Sequence, residues 1–172
     1  WLVPLRYERM GMSAFTFLRG AAGVMASDLS KTPNSGISVQ LCGDAHLNNF
    51  GLFASHDRSL VFDINDFDET LPGPFDWDVK RLAASVAVAA LDSGASKKKA
   101  RSAAQAAATA YRNTMSILMD ISTMDVWNLR VDTDVLAMAE TGKSLREATA
   151  RATRKSMLRT SETATEKLTT MV

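Results

Sequence analysis

Two stretches decide the reading of this chain: VQLCGDAHLNNFGLF at residues 39–53 and LVFDINDFDETLPGPFDWDV at residues 60–79. Ile37, Val39 and Leu41 alternate with Ser38, Gln40 and Cys42, the two-residue period of a half-buried strand. Leu60-Val61-Phe62 predicts another strand, and His56-Asp57-Arg58-Ser59 a turn before it, so residues 50–64 are expected to form a short hairpin. Three polar clusters follow these apolar runs. They are Gly43-Asp44-Ala45-His46-Leu47-Asn48-Asn49, then Asp63 to Glu69 (DINDFDE), then Asp76-Trp77-Asp78 at a helix start. Residues 65–75, acidic and then LPGP, read as an irregular loop.

Outside this centre the apolar spacing is helical. Residues 1–30 predict helix, with Ser13 able to cap a run carrying Phe17, Ala21, Val24, Met25 and Leu29. Lys31 to Gly36 (KTPNSG) is a loop by composition. Asp76 is read as an N-cap, Val79, Leu82, Ala83, Val86 and Ala90 as the buried stripe behind it, and Gly94 as the stop. A second helix runs from about Ser96 to Ile121 and buries Ala104, Ala107, Ala108, Tyr111, Met115 and Leu118. A broken segment near Met124 to Asp134 precedes a last, polar helix from about Ser144. The fold class is therefore α+β and mostly helical, with a small β-hairpin carrying the site. It is read as one domain over 1–172, with a site-bearing region at 37–78 and a helical region at 79–172.

Composition narrows the function. The chain has 46% hydrophobic and 23% charged residues, as expected of a globular fold. Its 20 Lys and Arg against 19 Asp and Glu leave a charge of +1, which argues against a nucleic-acid partner bound by phosphate neutralisation. No run approaches the ~20 apolar residues of a membrane span, so no membrane partner is expected. A single cysteine excludes an intrachain disulfide framework, two histidines exclude a His-rich metal cage, and a cytoplasmic location follows as the default. Cys42 is expected in the core, as are the three Trp and nine Met, and Lys97 to Arg101 on a solvated face. The chain opens Trp-Leu-Val-Pro, and Met171-Val172 fall inside a helical pattern without a stop. It is accordingly read as a fragment of a longer polypeptide.

Acidic groups at neighbouring strand ends repel one another, a crowding that a divalent cation relieves. Oxygen donors with no thiolate and little imidazole favour Mg²⁺ or Mn²⁺ over zinc. A calcium loop fails on spacing: counted from Asp63 the third ligand position is Phe67, and counted from Asp66 the obligatory glycine is Leu71. A metal-dependent phosphohydrolase opens with a similar Gly-Asp-x-His, but only His56 remains as a further imidazole ligand.

Gly-Asp-x-His-x-x-Asn, followed by strand, turn, strand and Asp-Phe-Asp, resembles the catalytic and metal-binding loops of the protein-kinase-like fold. The likeness is to the version carried by aminoglycoside phosphotransferases and choline kinases. It implies the C-terminal, mostly helical lobe of such a fold and an ATP- and Mg²⁺-dependent phosphotransferase acting on a hydroxyl or amine. Asp44 then matches the catalytic aspartate, Asn49 the amide metal ligand five residues on, and Asp66 the second metal ligand. Asn48 competes with Asn49, and Asp63 with Asp66. Asp68 and Glu69 are candidates for a second ion or the acceptor. His46 and Asp78 are read as structural support of the loop, and Arg19, which interrupts an apolar helix face, as a partner for a carboxylate or phosphate. The wider runs RYERM, SAFTFLRGAAGVMASDL, VQLCGDAHLNNFGLF and LVFDINDFDETLPGPFDWDVKRLAAS resemble DUF2252, a bacterial family of unassigned function. Cys42 stands where the kinase-like pattern has His, and neither a Gly-rich phosphate loop nor a strand lysine is present. The expected partners are therefore a nucleotide, an unidentified small-molecule or protein acceptor, and the remainder of the polypeptide. The fragment alone is expected to be inactive. A non-catalytic, pseudokinase-like binder of nucleotide or partner is the alternative.

Overall fold

The structure, a computed structural model, describes residues 2–56 and 59–132. In chain order the elements are helices α1 (Val3–Met10), α2 (Ala14–Gly20) and α3 (Ala22–Leu29), strands β1 (Ser38–Leu41), β2 (Phe50–Ala54), β3 (Leu60–Ile64) and β4 (Leu71–Pro74), and helices α4 (Asp76–Asp92), α5 (Lys97–Leu118) and α6 (Thr123–Asn128). A 3-10 turn, Leu47–Asn49, precedes β2. This is the expected class, α+β and mostly helical. The helix expected from Ser144 lies outside the described residues. None of the described helices is long and apolar enough to cross a membrane.

The chain divides into two compact units, residues 1–50 with 66–127 and residues 51–65 with 128–172. In the second, β2 pairs with β3, as expected of a hairpin, and Val61 is buried. There Phe62 N–H donates to the Val131 carbonyl at 2.7 Å, beside an antiparallel bridge from Val61 to Asp132.

The first unit holds the rest. The helical run expected over residues 1–30 is three short helices. Ser13 caps α2 through a reciprocal pair, accepting from Thr16 N–H at 3.1 Å while Ser13 N–H donates to Thr16 Oγ1 at 2.9 Å, an arrangement worth about 1 kcal/mol. Ala21, at φ −114°, ψ 33°, breaks the spiral between α2 and α3. The breaks rotate the apolar stripe, so Phe17 and Val24, placed on the buried face by continuous spacing, stand 53% and 61% exposed.

The LPGP segment, read as loop, is strand β4. It pairs antiparallel with β1 in the register Ser38 to Pro74, Val39 to Gly73, Gln40 to Pro72 and Leu41 to Leu71. Prolines survive because both strands of a two-stranded ribbon are edges, with one side free of ladder bonds. Gly73 is needed there, since a Cβ would come 2.7 Å from Leu41 Cδ1, and Leu41 is almost wholly buried.

Helix α4 begins at Asp76 with Phe75 as its cap residue, so Asp76 stands one position further in than expected. The Asp76 carboxylate accepts from Ser35 N–H at 3.0 Å and pairs with Lys80 at 2.6 Å, and these contacts hold its pKa down to about 2. Gly94, at φ +84°, ends α4, and Ser96 caps α5. The two helices pack as a hairpin around buried Ala100, with Phe75 stacked on Tyr111 at 6.0 Å. Of the face expected on α5, Ala108 and Met115 are exposed. Met119, Met124 and Trp127, expected in the core, are also exposed.

Gly43 follows β1 at φ +86°, and a Cβ there would lie 1.8 Å from the Glu69 carbonyl oxygen. Gly94 has a similar φ with nothing within 4 Å. Gly94→Ala is therefore expected to cost about 1 kcal/mol, the left-handed penalty alone. Gly43→Ala should cost about 3 kcal/mol or more, because backbone must also move. Urea unfolding of the two variants measures the difference, and equal losses would show that the Gly43–Glu69 approach is not tight.

Candidate functional site

The loop from Cys42 to Asn49 is the most constrained part of the first unit. It joins β1 to the 3-10 turn and lies over one face of α4. Asp78, in the first turn of that helix, accepts Cys42 N–H at 2.8 Å and Gly43 N–H at 3.1 Å, one on each carboxylate oxygen. Two turns later Ser85, fully buried, accepts Leu47 N–H at 3.2 Å and donates to the Leu82 carbonyl at 2.7 Å. Asp78 and Ser85 thus hold the loop at both ends.

Arg81 lies between them, 3% exposed. Its guanidinium donates to Asp44 Oδ1 from both Nε and Nη2, to the Leu18 carbonyl at 2.9 Å, and through Nη1 to the Met25 sulfur at 3.3 Å. One side chain of α4 therefore ties together α2, α3 and the loop. A buried charge with this partner set is an organising feature rather than a surface ion pair.

His46, 2% exposed, takes the other oxygen of Asp44, with Nε2 3.4 Å from Oδ2. Its Nδ1 accepts Asn48 N–H at 3.2 Å, which assigns the proton of the neutral ring to Nε2. The edge of Phe15 packs on the ring at 6.3 Å. Burial lowers the His46 pKa below its ordinary value, Asp44 opposes this, and the positive charges of Arg19 and Arg81 add to the lowering. The imidazole is therefore neutral around pH 7. Asn49, also buried, donates from Nδ2 to the Asp44 carbonyl at 2.8 Å, leaving Oδ1 as its available oxygen. Burial pushes the Cys42 thiol up, a backbone N–H from Asp44 pulls it down, and the charges of Asp78, Asp44 and Asp66 push it up again. The result is an inert core thiol.

Asp44, His46, Asn49, Asp66 and Arg19 line one cavity of about 670 Å³, a volume suited to a small-molecule ligand. Arg6 and Arg9 of α1 and Thr16 of α2 line it too. Asp66 stands exposed after β3, its Oδ1 accepting Asp68 N–H at 3.3 Å. The other expected residues lie elsewhere. Asp78 braces the loop, while exposed Asp68, Glu69 and Asn48 do not line the cavity among the described residues. Asp63 belongs to the second unit, where its Oδ1 accepts its neighbour Ile64 N–H at 2.7 Å. His56 is an exposed residue of the same unit.

Sequence reasoning missed Arg81, Ser85, Arg6 and Arg9 as parts of the site. For Arg81 and Ser85 the signal was available. Trp77, Arg81 and Ser85 recur every four residues, so a charge and a hydroxyl share a helical stripe with a large ring.

Among the described residues, no three His, Cys, Asp or Glu side chains converge on a metal position. The available oxygens, Asn49 Oδ1 and the Asp66 carboxylate, instead suit an ion that draws its remaining ligands from substrate phosphate and water, the usual manner of Mg²⁺.

The profile of a family described as "Uncharacterized protein conserved in bacteria (DUF2252)" matches residues 1–172. No curated protein and no solved structure matches the chain.

Two outcomes follow from the buried contacts. Arg81→Met leaves Asp44 without its cation and should cost about 3–5 kcal/mol, and Asp44→Ala a similar amount. The double variant should cost markedly less than the sum, and additive losses in denaturant unfolding would deny the coupling. Neutral in the fold, His46 takes up a proton near pH 6.5 once unfolded, so stability should fall as pH drops below about 6.5. His46→Gln should flatten that slope between about pH 7 and 5 in urea titrations. An unchanged slope would place the proton uptake on another group.

Proposed function

The chain belongs to the DUF2252 family, and on that footing we propose that the protein is a kinase-like phosphotransferase that moves the γ-phosphoryl group of ATP to the hydroxyl of an acceptor. One observation carries the reading. Asp44, Asn49 and Asp66, drawn from two loops separated in sequence, line the same cavity. A carboxylate, an amide and a second carboxylate around a ligand-sized space are what phosphoryl transfer needs, since its catalysis is positioning and charge neutralisation.

Asp44 orients the acceptor hydroxyl and receives its proton as the oxygen attacks the γ-phosphorus and the bond to the β-phosphate oxygen breaks, releasing ADP. Arg81 and His46 fix the carboxylate in place, so it is preorganised before substrate arrives. Asn49 Oδ1 and Asp66 would hold Mg²⁺, which supplies neutralisation of phosphate charge. Asn49 also supports Asp44 through the loop carbonyl. This reading places the protein in the cytoplasm with ATP. It also assigns the nucleotide-covering lobe to the remainder of a longer polypeptide, and likens the chain to the C-terminal lobe of the kinase-like fold.

A specific observation favours the non-catalytic alternative. Both oxygens of Asp44 already have partners, Arg81 on one and His46 on the other. A carboxylate held this way can anchor a loop in a binding domain without accepting a proton.

Label transfer from γ-labelled ATP, to water and to cell-extract acceptors, tests the choice in the full-length protein with Mg²⁺. Asp44→Asn is expected to lower turnover by about 10²-fold or more while Mg-ATP binding stays within a few fold of wild type. Retained binding also reports that the variant is folded. Asp66→Ala, an exposed change that leaves Asp44 untouched, should lose Mg²⁺-dependent nucleotide binding. Equal label transfer in wild type and Asp44→Asn would leave the binding domain as the function.

A further inference from the structure

Arg6, Arg9 and Arg19 bring three guanidinium groups to the cavity that holds Asp44 and Asp66. Among the described residues none of the three forms an ion pair. Arg6 donates instead to the Gly20 carbonyl at 3.1 Å. Arg19 acts on buried His46 through its charge.

The placement is built into the helix pair. A Cβ on Gly20 would lie 2.5 Å from Met10 Cγ and 2.6 Å from its sulfur. Glycine at this position lets α1 close on α2, which brings Arg6 to the end of α2 beside Arg19. Three like charges in one concavity repel one another, and a concave wall concentrates their field. An anion in the cavity relieves that repulsion, and guanidinium forks grip phosphate oxygens in bidentate fashion.

We propose that Arg6, Arg9 and Arg19 form the phosphate-gripping wall of this site and hold an oligophosphate in the cavity shared with Asn49 and Asp66. Choosing an oligophosphate over a carboxylate rests on the phosphotransfer reading, and it matches three cations better than a singly charged anion does. The helix pair α1–α2 then supplies the cationic part of the site, and the loops supply its metal-binding part.

The test uses the full-length protein with inorganic triphosphate and, separately, ATP, each titrated calorimetrically at low and high salt. Both ligands should bind, more weakly as salt rises. Arg9→Gln and Arg19→Gln, changes at exposed positions, should each weaken both ligands by about tenfold, and the pair by more. Lysine at either position should restore part of the loss. Arg101→Gln, an equal charge change on α5, should leave binding unaltered, and unchanged melting of the unliganded variants would exclude misfolding. The wall is overturned if the double variant binds triphosphate as wild type does, if wild type binds none at millimolar concentration, or if only ATP is weakened. Arg-dependent triphosphate binding without phosphoryl transfer to any acceptor would sustain the wall and sink the phosphotransfer reading. Label transfer from ATP that persists in the double variant with triphosphate affinity unchanged would do the reverse.

Discussion

A guanidinium buried to 3% exposure remains charged, and the first unit is arranged around satisfying it. Arg81 finds a carboxylate on the loop, a carbonyl at the end of α2 and a sulfur on α3. Each partner comes from a different segment, so the cation fixes their relative positions in a way that apolar contact, which has no direction, does not. Leaving such a charge unpaired costs several kcal/mol, comparable to the whole stability of an ordinary domain. The loop that carries Asp44 is therefore as firmly placed as α4 itself.

The surroundings of Arg81 are correspondingly polar. Besides Arg81, the buried set of the first unit contains His46, Asn49 and Ser85, against only Ala21, Leu41, Cys42, Ala45 and Ala100 as buried apolar residues. Side chains this small contribute little hydrophobic area, so the loop is held by hydrogen bonds whose partners are specified atom by atom. Asp78 and Ser85 take its N–H groups, Asn49 takes a carbonyl, and His46 bridges the Asp44 side chain to the N–H of Asn48. Networks of this kind rigidify a site because each member loses its partner if the loop moves. The Nε1 of Trp77, buried without a partner, is the exception on the same face of α4.

What the sequence revealed followed the range of the forces involved. The α4–α5 hairpin, the Ser13 cap, strand β1 and the β2–β3 hairpin rest on near-neighbour spacing and were legible. So was the clustering of chemistry in residues 42–78, because the motif residues cluster in sequence as they do in space. Strand β4 was hidden by its own composition. Pro72 and Pro74 argue for a loop, and only the pairing with β1 overrides them. The exposed Phe17 and Val24 show the same limit at the helix level, since a break at Ala21 shifts the phase of everything after it. Arg81 looked like an ordinary polar residue in an amphipathic helix. Its role depends on Leu18 and Asp44, which lie 63 and 37 positions away in the chain. Arg6 and Arg9 read as the polar side of a surface helix for the same reason.

The two acids of the cavity differ in what surrounds them, and that difference assigns their work. Asp44 is held by a buried cation on one oxygen and a neutral imidazole on the other, so its position is set by the protein. Asp66 is exposed and accepts only the N–H of Asp68 within its own turn, so its carboxylate is free to follow a ligand. A group that must align a reacting hydroxyl gains from the first environment, because misalignment of an ångström is costly in rate. A group that must close on an ion carried in with a phosphate gains from the second, because the coordination shell is completed only when substrate arrives. Exchanging the two environments would give a mobile base and a rigid, half-formed metal site. The observed arrangement is the one that suits transfer, with the fixed acid on the loop braced by α4 and the adaptable acid on the loop that follows β3.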